Sequence, residues 1–133
     1  MSYYRTREGA VTASDTFTVL SSLYGVSTTA SIILPSNVST ITGIMASFAS
    51  DMASNGVTTY ALRLEGDGLS QGSEIINFGS HTTDGTPVSN GQNNDVQMIP
   101  VNIPVVANNQ ISVSVAMSAD TGSCESAVTL VLE

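Results

Sequence analysis

The sequence contains no lysine, and its three basic residues are the arginines Arg5, Arg7 and Arg63. Phosphate-binding loops and Schiff-base enzymes depend on a lysine ammonium group, so neither class is expected. Nucleic-acid binding requires lysine or arginine side chains clustered on one face. With eleven acidic residues and a formal net charge of −8, the chain is predicted to bind no nucleic acid.

Cysteine and histidine are equally scarce. The single cysteine, Cys124, cannot close an internal disulfide and has no zinc-ligand spacing around it. The single histidine, His81, shares its segment with Asp84 and several hydroxyl groups, but no nucleophile motif accompanies it. The sequence therefore predicts that the protein is not an enzyme and that it holds no metal and no cofactor.

Long apolar segments are also missing. No run approaches the roughly 20 apolar residues of a membrane span, and the first residues lack the apolar centre of a signal peptide. We therefore expect synthesis in a cytoplasm, with no export and no membrane partner.

The sequence is rich instead in short segments where apolar and polar residues alternate. Residues 111–118 read ISVSVAMS, residues 60–65 read YALRLE and residues 126–132 read SAVTLVL, a pattern typical of half-buried strands. A length of 133 residues suits one domain. Together these features predict an all-β fold, a single antiparallel β-sandwich of jelly-roll type with about eight strands.

Other strands are predicted from weaker patterns, at residues 16–20, 30–34, 40–48, 74–78 and 96–106. Proline cannot donate a ladder hydrogen bond, so Pro100 and Pro104 predict an edge strand or two short strands with a bend. We expect the last strand to lie inside a sheet. A helix over residues 44–55 is an open alternative, because four apolar residues there fit a 3.6-residue spacing.

Two turns have recognisable chemistry. Asn108 and Asn109 precede the strand at 111–118 in the manner of a hairpin turn. Residues 65–68, Glu-Gly-Asp-Gly, fit either a plain β-turn or an acidic calcium turn. The plain turn is favoured because calcium takes six to eight oxygen ligands and the EF-hand spacing is absent.

Two segments are predicted to bind a partner. Residues 1–8 are predicted to form an N-terminal arm that precedes the sandwich domain at 9–133. In that arm, aromatic anchors and arginines would contact the acidic residues of a neighbouring subunit: Tyr3, Tyr4, Arg5 and Arg7. Removal of residues 1–8 is expected to abolish partner binding and leave the sandwich folded, and a frayed, solvated terminus is the alternative. The second segment is a long polar loop at residues 79–95, which contains His81 and Asp84.

From Tyr60 onward the order of segments resembles that of small bacteriophage virion proteins with a β-sandwich or jelly-roll fold. The resemblance is carried by YALRLEGDG, QGSEII, the long polar loop, VNIPVVANNQISVSVAMS and ESAVTLVLE. It implies a structural virion protein, made in the host cytoplasm and located in the virion. The expected role is that of a capsid decoration or cement protein that binds and stabilises the outer capsid surface.

The same resemblance implies its partners, the major capsid protein or other virion subunits. It also implies a symmetric homo-oligomer, for which a trimer is favoured. The rival hypothesis is a carbohydrate- or receptor-binding jelly-roll module, such as a virion spike or tail component. Glycan binding that is lost on changing Tyr60 or the His81 loop would favour that rival.

Overall fold

The computed structural model describes residues 2–11, 16–23, 26–27, 30–51, 56–83, 92–93, 97–117 and 123–133. Every regular element in these ranges is a β-strand, which confirms the predicted all-β class. In chain order the strands are β1 (Tyr3–Val11), β2 (Thr18–Val19), β3 (Ser22–Leu23), β4 (Val26–Ser27), β5 (Ile32–Ile33), β6 (Thr40–Asp51), β7 (Gly56–Glu65), β8 (Ser73–Thr83), β9 (Gln92–Asn93), β10 (Gln97–Pro104), β11 (Gln110–Met117) and β12 (Ser123–Leu132).

The strands form two antiparallel sheets. In the described ranges, a seven-stranded sheet has the order β10-β6-β12-β1-β3-β4, with β9 beside β6, and a five-stranded sheet has the order β2-β11-β7-β8, with β5 beside β11. The predicted antiparallel sandwich is confirmed, and its jelly-roll subtype stays a prediction. More strands are present than the eight or so predicted, because two-residue strands such as β3 and β4 are too short to show an alternating pattern.

Strand pairing follows a nested order along the chain. β1 pairs with β12, β2 with β11, β6 with β10 and β7 with β8. The first pair and the β6–β10 pair meet in one sheet through β12 and β6. The other two pairs meet in the second sheet through β11 and β7.

The core lies between the sheets and contains the apolar side chains of the alternating segments. Leu62 and Leu64 of β7, Val113 and Val115 of β11 and Leu130 of β12 are fully buried. A side chain on every second strand position points to the same face, so one face of each strand supplies the core. The clearest predicted strands are therefore the strands that carry the core.

Two predictions about sheet position are confirmed. β10, with Pro100 and Pro104, pairs only with β6 in the described ranges, and its register shifts between Pro100 and Ile103. It is thus an edge strand with an irregularity, as the missing proline donors require. β12 lies between β1 and β6, inside the larger sheet.

The helix considered for residues 44–55 is wrong over the part that the structure describes. β6 runs to Asp51 and pairs with both β10 and β12. Ladder hydrogen bonds on both sides and burial of Ile44 outweigh the helical spacing of the apolar residues. Residues 52–55 lie outside the described ranges.

The predicted boundary at residue 8 is not seen. Tyr3 through Val11 form β1, and each of these nine residues has a partner in β12, from Tyr3 opposite Leu132 to Val11 opposite Cys124. The structure thus places residues 3–8 in the larger sheet rather than in a separate arm. Deleting residues 1–8 would remove most of a paired strand, so such a deletion cannot test partner binding alone.

The turn at residues 65–68 packs against the start of β11. Gly68 N donates to Gln110 O at 2.8 Å, and Val106 N donates to Gly68 O at 2.8 Å.

Asn108 adopts a left-handed conformation with φ 67°, as the predicted turn at Asn108 and Asn109 requires. The turn at Asn108 and Asn109 does not close a hairpin, however, because β10 and β11, which it connects, belong to different sheets.

Candidate binding surface

The side chains of β1 alternate between the core side and the outer side of the larger sheet. Directly opposed residues of antiparallel strands point to the same face. Arg5 lies opposite Leu130 and Arg7 opposite Val128, and both partners are buried in the core. Arg5 and Arg7 therefore start from the core side, whereas Tyr4, which is 59% exposed, points outward.

Tyr3 and Arg5 contact other parts of the protein. The Tyr3 hydroxyl accepts a hydrogen bond from Asn37 Nδ2 at 2.9 Å, and the Tyr3 ring packs against the core. Arg5 Cζ lies 5.9 Å from the centroid of the Tyr3 ring, within cation–π range. Arg5 Nη1 also donates to the carbonyl oxygen of Tyr4 at 3.0 Å.

Arg7 donates hydrogen bonds to its own strand and to the segment before β5. Its Nη1 donates to Thr6 O at 2.8 Å and its Nη2 donates to Ser31 O at 3.3 Å. Burial lowers the pKa of the Arg7 guanidinium, and the nearby charge of Arg5 lowers that pKa further. These contacts tie β1 to the segment before β5, which is a structural role that the sequence did not suggest.

The outer side of the larger sheet carries an apolar surface that the sequence analysis missed. The register of four strands aligns two rows of side chains across it. We call these rows the outer patch: Tyr4, Val131, Gly43 and Pro100 in the first row, and Thr6, Thr129, Met45 and Met98 in the second.

In the middle of the outer patch, Val131 and Gly43 are buried, and the side chains of Tyr4 and Met98 at its two ends are exposed. Val131 is only 7% exposed, whereas Met98 is 60% exposed. A Cβ on Gly43 would lie 3.1 Å from Met98 Sδ and 3.4 Å from Val131 Cγ2, so the methionine lies across the glycine backbone. Tyr4 and Met98 therefore lie at opposite ends of the outer patch, with Val131 and Gly43 between them.

Within the second row of the outer patch, a threonine pair joins β1 to β12. Thr6 Oγ1 and Thr129 Oγ1 are 2.8 Å apart and share a hydrogen bond. The pair adds polar contact to the second row without adding charge.

In the part of the larger sheet whose side chains are described, the charged side chains around the outer patch are acidic. Glu8 follows Thr6 on the same face of β1, and Glu125 lies opposite Ala10 farther along. At the other end, Glu133 Oε1 accepts a hydrogen bond from Ser2 Oγ at 2.9 Å. Of the described basic side chains, two start from the core side and Arg63 lies on the other sheet. The outer patch is thus apolar in the middle and acidic at its margins.

The second predicted contact, residues 79–95, is described only in part. His81 lies in β8 opposite Thr58, so its backbone belongs to a strand rather than to a loop. Asp84 lies outside the described residues, as do most of the positions up to Asp95. No arrangement of His81 with Asp84 follows from the structure.

The acidic turn at residues 65–68 contacts the start of β11 through Asp67. In the ranges that the structure describes, no group of three or more metal-ligating side chains is found. Asp67 Oδ1 instead accepts a hydrogen bond from Gln110 N at 3.2 Å, as a side chain in a plain turn does. Within the same ranges, no helix is long and apolar enough to cross a membrane.

Exposed aromatic rings, which sugars stack on, are rare in the described part of the chain. Tyr60 is fully buried, so its ring is not open to a sugar. The Phe17 ring lies 4.5 Å from Arg63 Cζ and is therefore already covered by a guanidinium. Among the aromatic side chains that the structure describes, Tyr4 is the one counted as exposed.

Comparison with known proteins gives a fold likeness only. No protein-family model matches the chain, and no curated protein matches it. The chain is similar to a chain in the structure of infectious bursal disease virus, Gx strain, with 14% identity and a TM-score of 0.46, over 99% of this chain and 36% of that one. A chain of the Gt strain gives 11% identity and a TM-score of 0.38, over 98% and 35%. This chain thus spans about a third of the length of those virus chains, and a likeness at this level carries no information about function.

Proposed function

We propose that this chain is a structural subunit of a virus particle, and specifically a capsid decoration or cement protein. In this role it binds the outer capsid surface passively, as a symmetric oligomer, and stabilises the shell. Its partners are the major capsid protein or other virion subunits, and its location is the virion. A trimer is the favoured oligomer, because closed symmetry multiplies each contact.

The observation that supports this proposal best is the nested strand pairing. The first strand pairs with the last, β2 with β11, and β6 with β10, while β7 and β8 form the central hairpin. A jelly roll is an eight-stranded double sheet built from two Greek keys, and it recurs in viral capsid and lectin domains. The nested order supports the jelly-roll subtype, a fold that both candidate functions share.

The outer patch favours assembly over catalysis. Fold alone does not define function, so the argument has to come from a site. Contiguous apolar surface that is rimmed by polar groups is typical of protein–protein contact. Tyr4 supplies a large ring with few rotatable bonds, and Met98 supplies an adaptable side chain. Of the four residues predicted in β1, Tyr4 is the one placed to make such a contact directly.

The segment with His81 and Asp84 remains the second proposed contact, at a rim or on the outward side of the particle. Tyr3, Arg5 and Arg7 remain proposed partner-binding residues, but their proposed contribution to binding is indirect. In this role they hold β1 in place and present Tyr4, and all three are half-buried.

A carbohydrate- or receptor-binding module, such as a spike or tail component, is the second candidate. Jelly rolls also serve lectins, and the exposed Tyr4 ring is the observation that favours it. Binding of the isolated protein to a glycan array, lost in the Tyr4→Ala variant and kept in an Ile33→Ala control, would support this candidate. Ile33 is 64% exposed and lies in the other sheet.

The proposal is tested on virus particles purified from the native source, with and without this gene. We expect the protein in purified particles at a fixed number of copies. We also expect particles without it to rupture at a lower temperature, and purified protein to restore the wild-type value when it is added back. Absence of the protein from particles, or rupture at the same temperature in both preparations, refutes the cement function.

A further inference from the structure

We infer that the outer patch docks onto a different protein, whose contact surface has apolar side chains in the middle and lysine or arginine side chains around them. The inference rests on the proposed function and names the chemistry of the capsid surface that this subunit recognises.

The apolar half of the inference follows from exposure. Tyr4 and Met98 are 59% and 60% exposed. A partner that covered both side chains would remove their apolar surface from water. Tyr4 begins the first row of the outer patch and Met98 ends the second row, with Val131 and the Gly43 backbone between them. A complementary surface therefore needs apolar side chains that cover Tyr4 and Met98 together.

The basic half of the inference follows from the charges at the margins. Glu8 and Glu125 lie beyond one side of the patch, and Glu133 lies beyond the other. Opposite charges across an interface speed association and suppress wrong partners. Since the charged side chains described at these margins are all acidic, we expect the matching rim to be basic.

A second copy of this chain does not fit that description. A two-fold contact through the outer patch would bring the carboxylates of both copies to one interface, and like charges in an interface are unfavourable. The chain has no lysine to place opposite them in such a dimer. Arg63 lies on the opposite sheet, and Arg5 and Arg7 lie on the core side of β1.

The size of the outer patch points in the same direction. Four strands about 4.8 Å apart and two rows along them cover roughly 20 Å by 15 Å, or about 300 Å². A stable interface buries about 800 Å² on each partner. A dimer held by this patch alone would therefore be weak, whereas several sandwiches of one oligomer can bind a large shell together.

Zero-length cross-linking tests the inference, and the absence of lysine makes the test unusually clear. A carbodiimide joins a carboxylate directly to an amine. Between two copies of this chain, such an amide can use only a terminal amine, because no lysine is present. We expect purified particles treated in this way to yield peptides in which Glu8, Glu125 or Glu133 is joined to a lysine of another particle protein.

The outcomes separate the inference from the proposed function. Cross-links to another protein that start only from Glu65, Asp67 or Glu74, on the other sheet and its turn, keep the virion role and overturn the docking face. Cross-links from the outer margin to a terminal amine of a second copy overturn the choice of partner. Absence of the protein from the particles refutes the proposed function, and the inference with it.

Matched variants test the apolar centre. Rebinding to particles that lack the protein should weaken at least about tenfold for Met98→Gln and for Tyr4→Gln, as expected for central interface residues. The control is Ile75→Gln, because Ile75 is 63% exposed but lies in the five-stranded sheet, and its rebinding should stay within about twofold. Equal losses in all three folded variants overturn the inference.

Salt tests the basic rim. Raising the salt concentration from about 0.05 M to about 0.5 M shortens the screening length severalfold. Wild-type rebinding should weaken several-fold over this range, and rebinding that is indifferent to salt contradicts a basic rim.

Discussion

The turn at residues 65–72 joins β7 to β8 and offers a sharp test of how closely it packs on β11 in the same sheet. Three glycines there differ in what an added Cβ would meet. At Gly72 (φ 85°) no atom lies within 4 Å, at Gly68 the Cβ would lie 2.7 Å from Ile111 Cγ2 and 2.9 Å from Gln110 O, and at Gly66 (φ 138°) it would lie 2.5 Å from Gln110 O. Alanine at Gly72 tests backbone strain alone, alanine at Gly68 tests crowding alone, and alanine at Gly66 tests both.

The expected magnitudes follow from these contacts. A left-handed backbone disfavours alanine by about 1–2 kcal/mol, partly offset by about 0.4–1 kcal/mol from the stiffer unfolded chain. Crowding in a packed region adds about 1–3 kcal/mol. We expect Gly72→Ala to lower the free energy of unfolding by about 1 kcal/mol or less, Gly68→Ala by about 1–3 kcal/mol and Gly66→Ala by about 2–4 kcal/mol.

Urea unfolding at one fixed protein concentration measures the three values. With a slope of about 1–3 kcal/mol per molar urea, the midpoints of Gly72→Ala and Gly66→Ala should differ by roughly 0.5–2 M. The fixed concentration matters because an oligomer's stability depends on it. If Gly66→Ala and Gly72→Ala unfold at the same midpoint, the close packing of this turn on Gln110 is refuted.

Three other predictions concern stability. Tyr60→Ala should lower the free energy of unfolding by about 3–5 kcal/mol, as loss of a large buried side chain does; a calorimetric midpoint equal to wild type would contradict its place in the core. Alanine at Thr6 and Thr129, singly and together, should show a coupling of about 0.5–1 kcal/mol in a double-mutant cycle of urea unfolding, whereas additive effects would deny the hydroxyl contact. Arg7→Met should lower the free energy of unfolding by about 1–3 kcal/mol through loss of two charged hydrogen bonds, and unchanged amide-exchange protection in β1 would show that Arg7 does not hold this strand.

The part of the fold that sequence reasoning found is the part where one face of a strand is apolar. Residues 111–117 and 126–132 alternate because their inner side chains fill the core between the sheets. β1 gave no such signal, since its inward side chains include Arg5 and Arg7, which lie opposite core residues. Long amphipathic side chains can line apolar surface and still reach polar partners, so YYRTRE lacks the apolar alternation that marks a half-buried strand.

The candidate site was harder to predict for a different reason. The outer patch is composed of side chains from β1, β6, β10 and β12, which meet only after register is set. No single segment shows it. One local trace existed, because Leu130, Val131 and Leu132 are consecutive apolar residues and one of them had to face outward.

A cryo-electron-microscopy reconstruction of native particles tests the central claim most directly. The account predicts sandwich-shaped density on the outside of the shell, with Tyr4 and Met98 turned toward a basic-rimmed surface of another protein. Density that contacts the shell only through the five-stranded sheet, around Arg63 and Ile75, would contradict the docking face. Particles with no density for this chain would contradict its role as a virion subunit.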